Sequence, residues 1–346
     1  MKKIALLFVF VVGLVQAQAQ VQRGGINFFR GTLKSAFTLA QAQNKPLFVE
    51  IYAIGCPHCE NFKKTFDTNP RVGAFFNKKF VNYQLEVNSP EARAFRQKHN
   101  IYVLSTPLMS FWDKDEKLLH IQSAGDEQNN EAYIINMGER AINPQMQSAT
   151  WKNYFKQGMN DDNFLIEYAY TCRLLCDTTD NLAAMRTYAQ KQKPEMLSSP
   201  TNFVVLQKII MDDENPLFIN MMNHLEEFNK KFGAQNVKVT AENIVMYSLY
   251  CSRAQQYSPE KFTQMKEYLR RLGIDEQSIR GRFVWTESTV LFKAGKDLEA
   301  ANLIDAFCKN IKQIDKKDAT FIETFVKSKT TNSAALEKLD WIFKKK

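Results

Sequence analysis

Runs of apolar residues along the first 150 positions alternate between two periods. Leu47 to Ala53 is a continuous apolar stretch broken only by Glu50, which predicts a buried strand. Phe80 to Val87 alternates apolar and polar residues and predicts a second strand. Leu108 to Trp112 predicts a third, and across the polar turn Asp113 to Glu116 the segment Lys117 to Gln122 returns as its hairpin partner, ended by Gly125. Between them lie helical patterns. These are Ser35 to Gln43, a segment from Glu60 to Phe66 with Phe62 and Phe66 one turn apart, Arg71 to Asn77 after the break at Asn69-Pro70, Pro90 to His99, and Glu131 to Ile142. The order α-β-α-β-α-β-β-α predicts a three-layer α/β domain.

From about Trp151 the period changes to 3.6 with almost no strand signal. One face carries Phe164, Tyr168, Cys172, Leu175 and Cys176; another carries Phe218, Met221, Met222, Leu225, Phe228 and Phe232. Breaks near Thr178-Thr179, Asn215-Pro216, Ser258-Pro259, Gly295 and Ser328 to Thr331 recur at intervals of roughly 35–42 residues, the range of helix-turn-helix repeats. Leu291 to Ala301 resembles the turn of a tetratricopeptide hairpin. The prediction is an all-α domain, either an array of helical hairpins or an irregular bundle, whose concave surface could hold a partner protein.

Composition adds little to this division and removes some functions. The chain has 346 residues, long enough for two domains, and 45% hydrophobic residues with 26 phenylalanines to fill their cores. The formal charge of +9 is spread along the chain apart from Lys344-Lys345-Lys346, with no clustered basic stripe, so no nucleic-acid partner is expected. Met1-Lys2-Lys3, the apolar run Ile4 to Val15 and Ala17-Gln18-Ala19 predict a signal peptide over 1–19, cleaved after Ala19. The alternative, a retained anchor helix, conflicts with the shortness of the apolar run. The expected product is a soluble, periplasmic protein, not membrane-spanning, in a compartment where disulfide chemistry belongs. Its domains would span 20–148 and 149–346.

The candidate chemistry lies in Gly55-Cys56-Pro57-His58-Cys59, between the first strand and a helix start. Unpaired backbone N–H groups and the helix dipole at that point favour an anion, and the thiolate is the form of cysteine that attacks disulfides. Pro57 suits the first helical position, where no N–H partner exists. A protonated His58 would add positive charge near the sulfur. Structural zinc would need four ligands, and Cys172 and Cys176 lie more than a hundred residues away with C-x₃-C spacing. A purely structural disulfide would close too short a loop to gain much. No metal, flavin or nucleotide is therefore expected, the Cys56–Cys59 pair being itself the redox group. The remaining cysteines Cys172, Cys176, Cys251 and Cys308 fall at apolar helix positions and read as buried thiols, with a Cys251–Cys308 bridge left open.

This element order, with C-x-x-C after one strand and Thr106-Pro107 before a later one, resembles the thioredoxin fold over roughly residues 27 to 142. The resemblance implies a cis proline at Pro107 that faces the sulfurs, with Thr106 and Pro107 aligning a client backbone. Without it, Pro107 would read as a trans residue opening an edge strand. It also implies that Glu50, six residues before Cys56, is the buried acid beneath the second cysteine. Burial would raise its pKa and let it accept the Cys59 proton; the alternative is a partly exposed glutamate. Thioredoxins carry tryptophan and Gly-Pro around the cysteines, where this chain has Gly55 and Pro57-His58. Cys-Pro-His-Cys is similar instead to the DsbA-type periplasmic oxidant, in which the histidine stabilises the reduced thiolate. That fold carries a helical insertion, for which the stretch from Cys59 to Pro107 has no room, so the direction of electron flow is open. The implied function is an exported thiol–disulfide oxidoreductase with protein thiol or disulfide substrates and a redox partner protein at the membrane. The alternative is a binding or assembly protein whose helical domain recognises a partner, with the α/β domain auxiliary.

Overall fold

The computed structural model describes residues 24–345; the expected leader over 1–19 lies outside them. The described chain falls into two compact units that divide between Thr150 and Trp151.

The first unit is built outward from one buried hexapeptide. After α1 (Leu33–Gln43) come β1 (Leu47–Tyr52), α2 (Pro57–Thr68), α3 (Pro70–Lys79), β2 (Val81–Glu86), α4 (Pro90–His99), β3 (Leu108–Trp112), β4 (Leu118–Ser123) and α5 (Glu131–Ile142). The sheet order is β2-β1-β3-β4, with β1 parallel to β2 and antiparallel to β3, and β4 closing a hairpin on β3. The continuous hydrophobicity of β1 follows from this central place, because a strand covered on both faces has no solvent side. Alternation along β1 sends Phe48 and Glu50 to one face and Leu47, Val49 and Ile51 to the other. On the first face Phe48 meets Phe76 and Phe111 at 4.9 Å each, and Phe62 and Phe66 of α2 with Ile134 and Met137 of α5 complete the layer. On the other face Phe37 of α1 packs against Phe95 of α4, which in turn meets Trp112 edge-on at 5.0 Å.

The helix starts share one device. Cys56, Asn69 and Ser89 each cap a helix whose first residue is proline, and Ser199, Asn215 and Ser258 do the same in the second unit. The Asn69-Pro70 and Asn215-Pro216 pairs that read as breaks in the sequence are thus also starts.

The second unit is helical throughout its described residues. It comprises α6 (Trp151–Lys156), α7 (Asp162–Leu174), α8 (Thr178–Lys191), α9 (Pro200–Lys208), α10 (Pro216–Asn223) and α11 (Leu225–Phe232). There follow α12 (Ala234–Tyr250), α13 (Pro259–Arg271), α14 (Glu276–Lys293), α15 (Asp297–Cys308), α16 (Lys316–Lys327) and α17 (Ser333–Phe343). One core joins α6 through α14 and a second joins α14 through α17. The hairpin turn expected at Gly295 is present: Gly295 takes φ 72° between the packed helices α14 and α15.

Three of the four intervals between the anticipated breaks hold the two helices of a hairpin, α8–α9, α13–α14 and α15–α16. Three details need correction: the interval from Asn215 to Ser258 holds three helices, α10 to α12. The apolar face from Phe218 to Phe232 belongs to two helices, because the chain turns at His224, whose ring nitrogen lies 2.9 Å from the Asn220 carbonyl oxygen. Cys176 does not share a helix face with Cys172. Helix α7 ends at Leu174, and Cys176 sits exposed in a left-handed turn at φ 55°, where Asp177 caps α8. Cys251 is half-buried at the end of α12, Cys172 and Cys308 are buried, and Cys251 and Cys308 are free thiols.

Candidate functional site

The turn from β1 into α2 presents the cysteine pair. Gly55 takes φ 77°, a conformation open to glycine, and sets Cys56 as the cap of α2 with Pro57 at its first position. Cys56 is partly exposed and Cys59, one turn on, is buried; both are free thiols in this structure. Ile54, two residues before Cys56, is 81% exposed, an isolated apolar side chain at the mouth of the site.

Three groups converge on the Cys56 sulfur. The Thr106 hydroxyl donates to Cys56 Sγ at 3.3 Å, and the backbone N–H of Cys59 donates at 3.5 Å. The thiol faces the Thr106 carbonyl oxygen at 3.5 Å. The Thr106–Pro107 bond is cis, as the resemblance implies. The loop before β3 is therefore fifty residues away in sequence and in direct contact with the Cys56 sulfur.

The two thiols are driven apart in acidity. At Cys56 burial opposes ionisation, but the hydrogen bonds from Thr106 and from the start of α2 outweigh it and lower the pKa below the ordinary value. At Cys59 burial dominates and pushes the pKa up to about 11, with the neighbouring Cys56 adding to it. One thiol is prepared to be a thiolate and the other to stay protonated.

Glu50 is 1% exposed on β1, on the face that α2 covers. Burial raises its pKa to about 7; a hydrogen bond from Gln84 Nε2 to Glu50 Oε2 at 2.8 Å works in the opposite direction. Gln84 stands directly across from Glu50 in the β1–β2 register. Its partnership with a buried acid had one trace in the sequence, the polar residue in a strand otherwise tending to burial.

The His58 ring meets Asp126, with Nδ1 2.7 Å from Oδ2, and Asn61 Nδ2 donates to the other oxygen of that carboxylate at 3.0 Å. The hydrogen-bond donors to the Cys56 sulfur described above do not include the imidazole. Asp126 follows β4, far beyond the motif in sequence, and no local pattern marks it. Among the described residues no group of histidine, cysteine, aspartate and glutamate side chains is arranged to hold a metal ion. No helix among them is long and apolar enough to cross a membrane.

A family model described as thioredoxin-like matches residues 29–114. No curated protein sequence matches the chain. Among solved structures the chain is similar to a candidate disulphide isomerase from Bacteroides thetaiotaomicron, with 19% identity and a TM-score of 0.30 over 34% of this chain and 93% of that one. It is also similar to a thioredoxin from Thermus thermophilus (18% identity, TM-score 0.29, 35% of this chain and 90% of that one). A third is a disulphide isomerase from Xylella fastidiosa (17% identity, TM-score 0.24, 35% of this chain and 92% of that one).

Proposed function

The N-terminal unit is a thioredoxin-like domain, and from it we propose that the chain is a thiol–disulfide oxidoreductase acting on protein substrates through Cys56 and Cys59. The observation that carries this reading is the opposed acidity of two thiols one helical turn apart beside Thr106 and Pro107.

The steps follow from those groups. Cys56 thiolate attacks one sulfur of a client disulfide; the S–S bond breaks, the departing sulfur takes a proton, and a mixed disulfide forms. Cys59 then gives its proton towards Glu50, whose pKa near 7 leaves it able to accept at neutral pH. The Cys59 sulfur attacks Cys56 Sγ, the client's second sulfur leaves, and two electrons have passed from the pair to the client. Run backwards, the same steps oxidise a client dithiol. Thr106 and Pro107 align the client backbone across the sulfurs. The Cys56–Cys59 pair is itself the redox group, and no further cofactor enters. The leader pattern over residues 1–19 supports export and a periplasmic setting, with a redox partner protein at the membrane to recharge the pair.

Cys56→Ser is expected to abolish turnover of a disulfide substrate; undiminished turnover overturns the assignment. Cys59→Ala is expected to accumulate mixed disulfides at Cys56. Partners captured without any covalent species would instead favour recognition by the helical unit.

A further inference from the structure

Asp126 opens the short turn Asp126–Gln128 after β4, and this turn is fixed from both sides. Gln128 Oε1 accepts from the Gly125 N–H at 2.6 Å, and the Asn130 side chain caps α5 immediately afterwards. From that position one carboxylate reaches two residues of the first turns of α2. Oδ2 takes His58 Nδ1 at 2.7 Å and Oδ1 takes Asn61 Nδ2 at 3.0 Å. The Cys56 sulfur takes hydrogen bonds from the Thr106 hydroxyl and from the backbone at the start of α2, Cys59 and His58 included. The ring of the motif's histidine is thus held by a carboxylate, and its bond there is to Asp126.

We propose that Asp126 is a positioning residue that holds the His58 ring and thereby makes the Cys56–Cys59 pair less oxidising than the motif alone would make it. This rests on the reading of the pair as a redox centre. A cation near a thiolate favours the reduced state, because only the reduced state contains the thiolate. With Asp126 present, the carboxylate holds the ring nitrogen Nδ1. Without it, the ring is free to turn towards the Cys56 thiolate. The pair is about half exposed on each side, 53% for His58 and 49% for Asp126, so the effect is modest and weakens with salt.

The test is a double-mutant cycle on the full chain in glutathione buffers at low salt. There the disulfide takes two electrons and two protons from two glutathione thiols and yields the dithiol and glutathione disulfide. D126A is expected to move this equilibrium about three- to tenfold towards the dithiol, which is roughly 15–30 mV for a two-electron couple. The pH profile of Cys56 alkylation should move to lower pH in the same variant. In the H58A background D126A should change neither quantity, because its effect passes through the imidazole. D126S, whose short hydroxyl does not reach the ring, carries the same cycle should D126A fail to fold. An unchanged potential in D126A, or an equal shift with and without His58, overturns the tether while leaving the redox reading intact. A wild-type chain with no reversible couple overturns both.

Discussion

Glu50 in the first unit and Asp213 in the second are each 1% exposed, and their surroundings answer burial in different ways. Glu50 has an amide for a partner, the Gln84 side chain, and burial leaves its acidity shifted to about 7. Asp213 meets Lys261 Nζ at 2.7 Å and the Ser248 hydroxyl at 2.6 Å. Asp212 beside it receives two hydrogen bonds from Arg186, at 3.0 and 2.8 Å, and faces Arg253, while Glu214 reaches Arg186 and Lys261. At Lys261 burial opposes the charge, and the bonds to Asp213 and Glu214 outweigh it and raise the pKa. A carboxylate matched by cations holds helices together. A carboxylate buried without one retains a proton near neutral pH and is available for transfer.

That contrast can be broken most forcefully from the second unit. Asp213→Ala takes from the Lys261 ammonium its buried partner and leaves it only the half-exposed Glu214, so the loss should fall short of the about 3–5 kcal/mol of a fully uncompensated buried charge and still be the largest of these effects. Denaturant unfolding should show that loss, with turnover surviving wherever the protein stays folded. An Asp213→Ala protein as stable as the parent would mean that the network is not structural.

Glu50→Gln is expected to act with the opposite sign. The folded state binds the Glu50 proton more tightly than the unfolded state, so the parent's stability falls as pH rises from about 4.5 to about 7 and the penalty persists above that range. Glutamine removes the ionisation and keeps a partner for Gln84. It should stabilise the protein by about 3 kcal/mol above neutral pH and by almost nothing below about pH 4.5. The same variant should slow the second step, so mixed disulfides persist longer. A gain independent of pH would remove Glu50's ionisation from the account. Gln84→Ala is the smallest change and sharpens the comparison. Losing the amide should raise the Glu50 pKa further and move the pH profile of resolution upwards, with little change in Cys56 alkylation.

The parts of this architecture that were legible from sequence are those with local causes. The strand β1 announced itself because a central strand must be apolar, and Glu50 was conspicuous within it. Cap-proline pairs such as Asn69-Pro70 marked helix boundaries because proline cannot continue a helix from the preceding turn. The end of α7 at Leu174 and the turn at His224 have no such punctuation, and the apolar period runs across both. Local composition there permits a helix, and the surrounding packing ends it. Asp126 was invisible for a further reason. Its contact with His58 depends on where the β3–β4 hairpin delivers the following turn, a distance across the fold that no spacing along the chain encodes.

The central claim is that the two thiols of one motif are held at different acidities. Its most direct measurement is the alkylation rate of each cysteine of the reduced protein against pH, read by mass spectrometry. Cys56 should react along a profile centred below that of an ordinary thiol, and Cys59 should stay protected until pH approaches about 11. If Cys59 reacted first, or both followed one ordinary thiol profile, the division into a nucleophile and a resolving thiol would be wrong.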